Sequence, residues 1–530
     1  MDTARVFDYA SGGFGESFAM NIRLIWSACL AAAVSGAVVA PPDTIKVDGG
    51  QISGVLTDGV RSFKGIPFAA APIGDLRWKP PQPVAAWNGI KHADAFGPQC
   101  LQAPYPTGSI YAMDPVPQSE DCLSLNVWTT ASRGDKRPVM VWIHGGAWTR
   151  GGSSIRTYDG AALAKKGVVV VSVNYRLGVL GFLAHPELTA ESPNHSSGNY
   201  AILDHVAALK WVQRNIASFG GNPANVTIFG ESAGSWSVNT TQATPLAKGL
   251  FHKAIGESGG QFARTPRLAD VEQGGVALAK ALDVDTLKAL RAAPADTLVT
   301  VPSFRTSINV DGWVLPEDVH STFAQKKQNN VPVLVGSNAN EWTTLGNPAT
   351  FPGTLADFRK RMDAQFPGLA KEFDEAYPAS ADADIAGVML ALGRDQIFSL
   401  EMRTWARMVT ASGMKAFLYQ FTRVPPGPES KARGAYHAAE IQYVFANLKN
   451  PAFAFTDADR KLADAMSSYW VNFATTSDPN GKSLPTWSPY TASAEPYLEL
   501  GETIQQKQHL LKAQLDFLEM AQQRRTSTGF

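Results

Sequence analysis

Short unbroken apolar runs alternate along this chain with segments of helical periodicity. Pro138-Val-Met-Val-Trp-Ile-His144, Gly167-Val-Val-Val-Val-Ser-Val-Asn-Tyr175 and Val226-Thr-Ile-Phe229 are short, rich in β-branched residues and lack a polar face, which predicts strands buried on both sides of a sheet. Residues 200 to 219 instead place Ile202, Leu203, Val206, Leu209, Val212 and Ile216 at three- and four-residue spacing, and Gly220-Gly221 stops the repeat, which predicts a helix. Asp159 to Lys166 is compatible with another helix. Further strands are expected at Val331–Gly336 and Ala416–Phe421, with Tyr497–Leu500 as a last edge strand and a hairpin turning at Asp58-Gly59. Such alternation of strand and helix predicts an α/β fold with a largely parallel sheet and helices on both faces. Residues 345 to 412, rich in Ala, Met and charged side chains, read as a helical insertion packed over one end of that sheet. Thr456 has the character of a helix N-cap, and Lys507 to Gln523, which includes His509, reads as a terminal amphipathic helix.

Length changes this picture little. The 530 residues could form several domains, but the residues of chemical interest run from about 100 to 440, so one catalytic domain over 41–530 is the preferred division. Residues 1–40 read as an N-terminal extension and a signal peptide. Residues 1 to 19 are polar, after which Met20, Arg23 and an apolar stretch from Leu24 to Ala40 have the form of a secretory signal, with Val38-Val39-Ala40 as the cleavage site and Met20 as the expected true start. The mature chain is then expected to be secreted or periplasmic, with no stable membrane span. Its net charge is zero, with Lys and Arg dispersed, so nothing marks a nucleic-acid surface. Of three cysteines, Cys100 and Cys122 follow the leader, and an even pair in an exported chain suggests a disulfide.

The chemistry centres on Gly230-Glu231-Ser232-Ala233-Gly234, which follows a strand and precedes a helix-compatible segment, as a nucleophile elbow requires. Glycines on both sides let the chain turn tightly enough to hold Ser232 in a strained conformation. The same spacing recurs at Gly256-Glu257-Ser258-Gly259-Gly260, but paired glycines and Pro266 argue against a helix there, so Ser232 is the expected nucleophile. A serine hydroxyl needs a positioned base oriented by a carboxylate, in the chain order Ser, acid, His. His437, after a loop rich in Pro and Gly, is favoured as base over His320, while His252 and His509 read as structural. Glu341, just past the strand ending at Gly336, is favoured as the acid over Asp311. His144-Gly145-Gly146-Ala147-Trp148 has the form of a loop whose N–H groups receive an oxyanion, with the Ala233 N–H completing the set, though a plain glycine turn reads the same way.

Together these residues resemble the type-B carboxylesterase family, with its cholinesterases and para-nitrobenzyl esterases, of the α/β-hydrolase fold. Glu120-Asp-Cys-Leu-Ser-Leu-Asn-Val127 and Phe229-Gly-Glu-Ser-Ala-Gly234 are similar to its two signatures, and Asn174-Tyr-Arg-Leu-Gly178 and Phe219-Gly-Gly-Asn-Pro223 extend the match. The resemblance implies a serine esterase with a Ser232, Glu341, His437 triad and an oxyanion hole from Gly145, Gly146 and Ala233. It also implies a Cys100–Cys122 bridge, supporting roles for Glu231 and Ser258, and no cofactor or metal. Asn222, His205 and Trp236 depart from the family pattern. The substrate pocket is expected to draw on Trp148, Trp236, Phe262, the loop between the cysteines and the 345–412 insertion. An interfacial lipase and a non-catalytic cholinesterase-like binding protein are the alternatives, the latter disfavoured because all three triad residues are present.

Overall fold

The structure is a computed structural model and describes residues 44–112, 116–302, 304–427 and 429–527. The leader expected around Met20 lies outside the described residues. The main sheet has eleven strands: β1 Val55–Thr57, β2 Val60–Pro67, β3 Ser124–Thr129, β4 Arg137–Ile143, β5 Val169–Val173, β6 Gly221–Glu231, β7 Lys253–Glu257, β8 Val333–Asn338, β9 Ala416–Phe421, β10 Pro496–Leu500 and β11 Ile504–Gln508. Their order across the sheet is β11-β10-β9-β8-β7-β6-β4-β5-β3-β2-β1. The run from β10 to β5 is parallel throughout, and the antiparallel pairs lie at the two edges.

The unbroken apolar runs are explained by the two-residue period of a strand. Val139, Val141 and Ile143 of β4 enter one core layer, while Met140 and Trp142 enter the other. In β5, Val169, Val171 and Val173 share the first layer and Val170 the second. A sheet covered on both faces favours apolar residues along its central strands, and the buried Ser172 of β5 is tolerated because its hydroxyl is hydrogen-bonded to Asn126 and to the Ser153 carbonyl.

The clearest periodic segment is helix α1, Tyr200–Asn215, continued by a 3₁₀ turn at Ile216–Phe219 and stopped by Gly220 at φ +81°. Helix α2, Ala233–Ala243, starts directly after β6. Residues 345–412 contain four longer helical stretches, α3 Leu355–Gln365, α4 Ala370–Ala376, α5 Ile385–Arg394 and α6 Leu400–Ala411. Phe358, Phe366 and Phe373 of this region form a third core cluster with Phe517 and Leu518 of the last helix. Thr456 caps the helix Asp457–Thr476 through a reciprocal capping box with Asp459.

One expectation is corrected. The amphipathic segment from Lys507 is not helical at its start: Ile504–Gln508 pairs antiparallel with β10, and the final helix begins only at Lys512. His509 therefore sits in the turn between them, at φ +59°. A polar edge strand satisfies its backbone on the neighbouring strand, a pairing the side-chain pattern does not reveal.

Candidate active site

Three adjacent parallel strands end together. Glu231 at the end of β6 stands beside Glu257 at the end of β7, and Glu257 stands beside Gly336 in β8. The residues that follow, Ser232, Ser258 and Glu341, consequently meet at the carboxyl edge of the sheet, where open α/β sheets gather their functional groups.

Ser232 has φ +57° and ψ −124°, a conformation costing roughly 1–3 kcal/mol for a residue with a side chain. It is held by packing that only glycine allows. A Cβ on Gly230 would lie 2.6 Å from the Ile143 carbonyl oxygen, and one on Gly234 only 2.0 Å from it. The Ser232 N–H donates to the Glu257 carbonyl at 2.8 Å, and its own carbonyl accepts from Trp236 N–H at 2.9 Å. Ser258, the twin, also has positive φ, but the chain after it stays irregular until Leu268, so no helix starts beneath it. Its hydroxyl donates to Glu341 Oε1 at 2.6 Å.

Glu341 is fully buried in a short 3₁₀ turn after β8. Oε1 also accepts the Asn338 N–H at 2.6 Å, and Oε2 is bonded to His437 Nδ1 at 2.6 Å. Three hydrogen bonds thus orient one carboxyl group toward one imidazole. The His437 ring is gripped on further sides. Phe398, carried on a π-helical segment at Asp395–Ser399, lies 4.9 Å from it, and the Tyr111 ring meets it edge-on at 6.3 Å. Tyr111 belongs to the loop closed by the Cys100–Cys122 disulfide, which is present.

The rivals are placed elsewhere. Asp311 accepts from Asn199 Nδ2 and from the N–H groups of Trp313 and Leu315, which makes it a turn anchor. His320 is exposed on the helix Val319–Ala324, and His252 accepts the Val226 N–H.

Gly145 packs directly on the elbow, since a Cβ there would lie 3.1 Å from Ser232 Cβ and 2.7 Å from the Glu231 carbonyl oxygen. Gly146 has φ +109°, and its carbonyl accepts the N–H groups of Thr149 and Arg150. Ala233 opens α2, so its N–H is one of those a helix leaves without an intrahelical partner. Beneath the loop, His144 is stacked on Tyr175, and burial lowers its pKa to about 4.

The aromatic candidates divide. Trp236 is half-buried, next to the position of Gly259, and meets Trp148 edge-on at 5.3 Å. Trp148 is buried and donates to Ser237 Oγ. Phe262 is buried edge-on to Phe323, and its N–H donates to Glu401 Oε2 at 2.7 Å.

Sequence reasoning named Glu231 as a supporting residue but missed Glu257, Glu401 and Glu440, the other buried acids around this centre. Glu231 is pushed well above the usual carboxyl pKa, first by burial and then by Glu341 and Glu257, and Glu257 is itself raised by burial. Glu440 accepts from Asn338 Nδ2 at 2.5 Å, and Glu401 supports Phe262. The only available signal for Glu440 was its place three residues after His437.

The family model for the carboxylesterase family matches residues 41–518. A fumonisin B1 esterase from Sphingopyxis macrogoltabida is 37% identical over 468 residues, covering 84% of each chain. Carboxylesterase 5A from Canis lupus familiaris is 35% identical, covering 95% of this chain and 93% of its own. Among solved structures, a PNB esterase superposes with a TM-score of 0.77 at 31% identity, covering 90% of this chain and 99% of that one. A Geobacillus stearothermophilus carboxylesterase reaches 0.78 at 32% identity, covering 89% and 99%. The chain belongs to the carboxylesterase family and has the α/β-hydrolase fold. It is a carboxylic ester hydrolase.

Proposed function

We propose that this chain is an exported serine esterase working through an acyl-enzyme on Ser232. The reading rests above all on the bond between Glu341 and His437 at the sheet edge where the strained Ser232 turn projects. Ser232 Oγ attacks the ester carbonyl carbon while His437 Nε2 takes its proton, and Glu341 holds the Nδ1–H tautomer. The N–H groups of Gly145, Gly146 and Ala233 receive the oxyanion. His437 then protonates the departing alcohol, and water repeats the sequence on the acyl-enzyme. Glu231 and Ser258 support the pair, Ser258 by fixing Glu341. Trp236 borders the acyl side, with Trp148 and Phe262 behind the wall. The buried disulfide and the apolar leader support export to an oxidising compartment.

Turnover of a 4-nitrophenyl ester by Ser232→Ala should fall by about a million-fold, as when other serine triads lose their nucleophile. A fluorophosphonate probe should label the wild type and not the variant. Undiminished turnover by a folded Ser232→Ala protein would overturn the assignment.

A further inference from the structure

Several arginines withdrawn from solvent meet a carboxylate, and Arg150 does not. Arg77 meets Glu120, Arg176 meets Asp204, Arg403 meets Asp516 and Arg423 meets Asp459. Arg150 is half-buried, yet no carboxylate among the described residues comes within ion-pair distance. Its Nε donates to the carbonyls of Ala103 and Pro104 at 3.2 Å each, and its guanidinium lies 5.6 Å from the centre of the Tyr105 ring. These contacts fix the side chain but engage only one of its three nitrogens, leaving both Nη groups as donors without a protein acceptor among the described residues.

The location is informative. The Arg150 N–H bonds to the Gly146 carbonyl at 3.0 Å, and a Cβ on Gly146 would lie 2.1 Å from the Arg150 carbonyl oxygen. Gly145, next in chain, is the residue packed against Ser232 Cβ. Tyr105, on which the guanidinium rests, is close enough to feel the charges of both Arg150 and Glu231. The fork is therefore anchored to the turn that carries the proposed oxyanion donors. A fixed planar fork with two unused edges matches a carboxylate in bidentate geometry.

We propose that Arg150 recognises a free carboxylate carried by the ester substrate, so that the preferred substrates are esters bearing a second, ionised acid group. The inference rests on the serine esterase reading above. The carboxylate can belong to the acyl or the alcohol half, and paired substrates separate the two.

The test compares 4-nitrophenyl hemiglutarate with 4-nitrophenyl pentanoate for the acyl half, and the butyrate ester of 4-hydroxybenzoate with that of 4-methylphenol for the alcohol half. The readout is the ratio of kcat/KM for the anionic over the neutral member. In the wild type one ratio should exceed unity and fall as salt is raised. Arg150→Gln should lower it by about 10- to 100-fold, the range for a hydrogen-bonded charge pair, and Arg150→Lys should restore part of it. A ratio unchanged in Arg150→Gln, or a wild type that favours the neutral member of both pairs, would overturn the proposal. Should Arg150→Gln fail to fold, the Arg150→Lys ratio and the salt dependence decide in the same way. Failure of the underlying reading is distinguishable, because all four esters would then be turned over by Ser232→Ala.

Discussion

His437 Nε2 lies 3.1 Å from Glu231 Oε1 while its Nδ1 is bonded to Glu341 Oε2 at 2.6 Å, so one imidazole stands between two carboxyl groups. Their surroundings differ. Glu341 accepts three hydrogen bonds, whereas Glu231 Oε1 is buried without an aligned one among the described residues. Burial, followed by the neighbouring acids Glu341 and Glu257, raises the pKa of Glu231 well above the usual carboxyl value, which disfavours a charge on it beside His437. Glu231 immediately precedes Ser232 in the chain.

Glu231→Gln preserves the shape of the side chain and removes its titration. Its kcat/KM at pH 7 is expected to stay within about tenfold of wild type, or roughly 1.4 kcal/mol. As pH rises through the raised pKa of Glu231, the wild type gains a charge beside His437 that the variant cannot, so their rate profiles should part as that pKa is passed. A thousand-fold loss at pH 7 would mean that an ionised Glu231 is required.

The Tyr111 hydroxyl bridges the two turns that carry the acid and the base. It is 2.6 Å from Thr344 Oγ1, just after the turn that holds Glu341, and donates to the His437 carbonyl at 3.3 Å. Tyr111→Phe keeps the ring and removes this link, and should lower kcat by about three- to tenfold, the scale of a neutral hydrogen bond. Thr344→Val should cost a similar amount, and the double variant less than the sum because the two share one contact. Additive effects in such a cycle would exclude the bridge.

Glu401 links stability to pH. Burial raises its pKa to about 7, against an opposing contribution from the Phe262 N–H bond. A carboxyl group with a raised folded-state pKa is unpenalised below its unfolded value near 4.5 and costs stability progressively as pH climbs to about 7. The total is about 3 kcal/mol. Glu401→Gln should remove this slope, so urea midpoints at pH 5 and pH 8 should converge in the variant relative to wild type. Equal pH dependence in the two proteins would show that Glu401 is not the titrating group.

Much of the sheet was legible because β4, β5, β6, β8 and β9 are continuous apolar runs, and helix α1 keeps a regular period. The polar strand β11 was not, since its stability lies in backbone pairing with β10. Ser232 was separable from Ser258 in the chain alone, because one elbow leads into a helix-compatible segment and the other into glycines and a proline. Glu341 and His437 could be ranked above Asp311 and His320 only by their places after a strand and in a loop.

What the sequence alone determined about this protein was local: strand and helix periodicity, the two glycine-flanked serines, and the motifs that mark its family. Only the tertiary structure decided which distant groups meet. The Ser258 bond to Glu341, the Phe398 and Tyr111 contacts on His437, the buried acids and the unpaired Arg150 join segments far apart in the chain. Their register depends on three parallel strands that run to the same edge of the sheet, and burial there, rather than neighbouring residues in sequence, raises the pKa of Glu231 and Glu257.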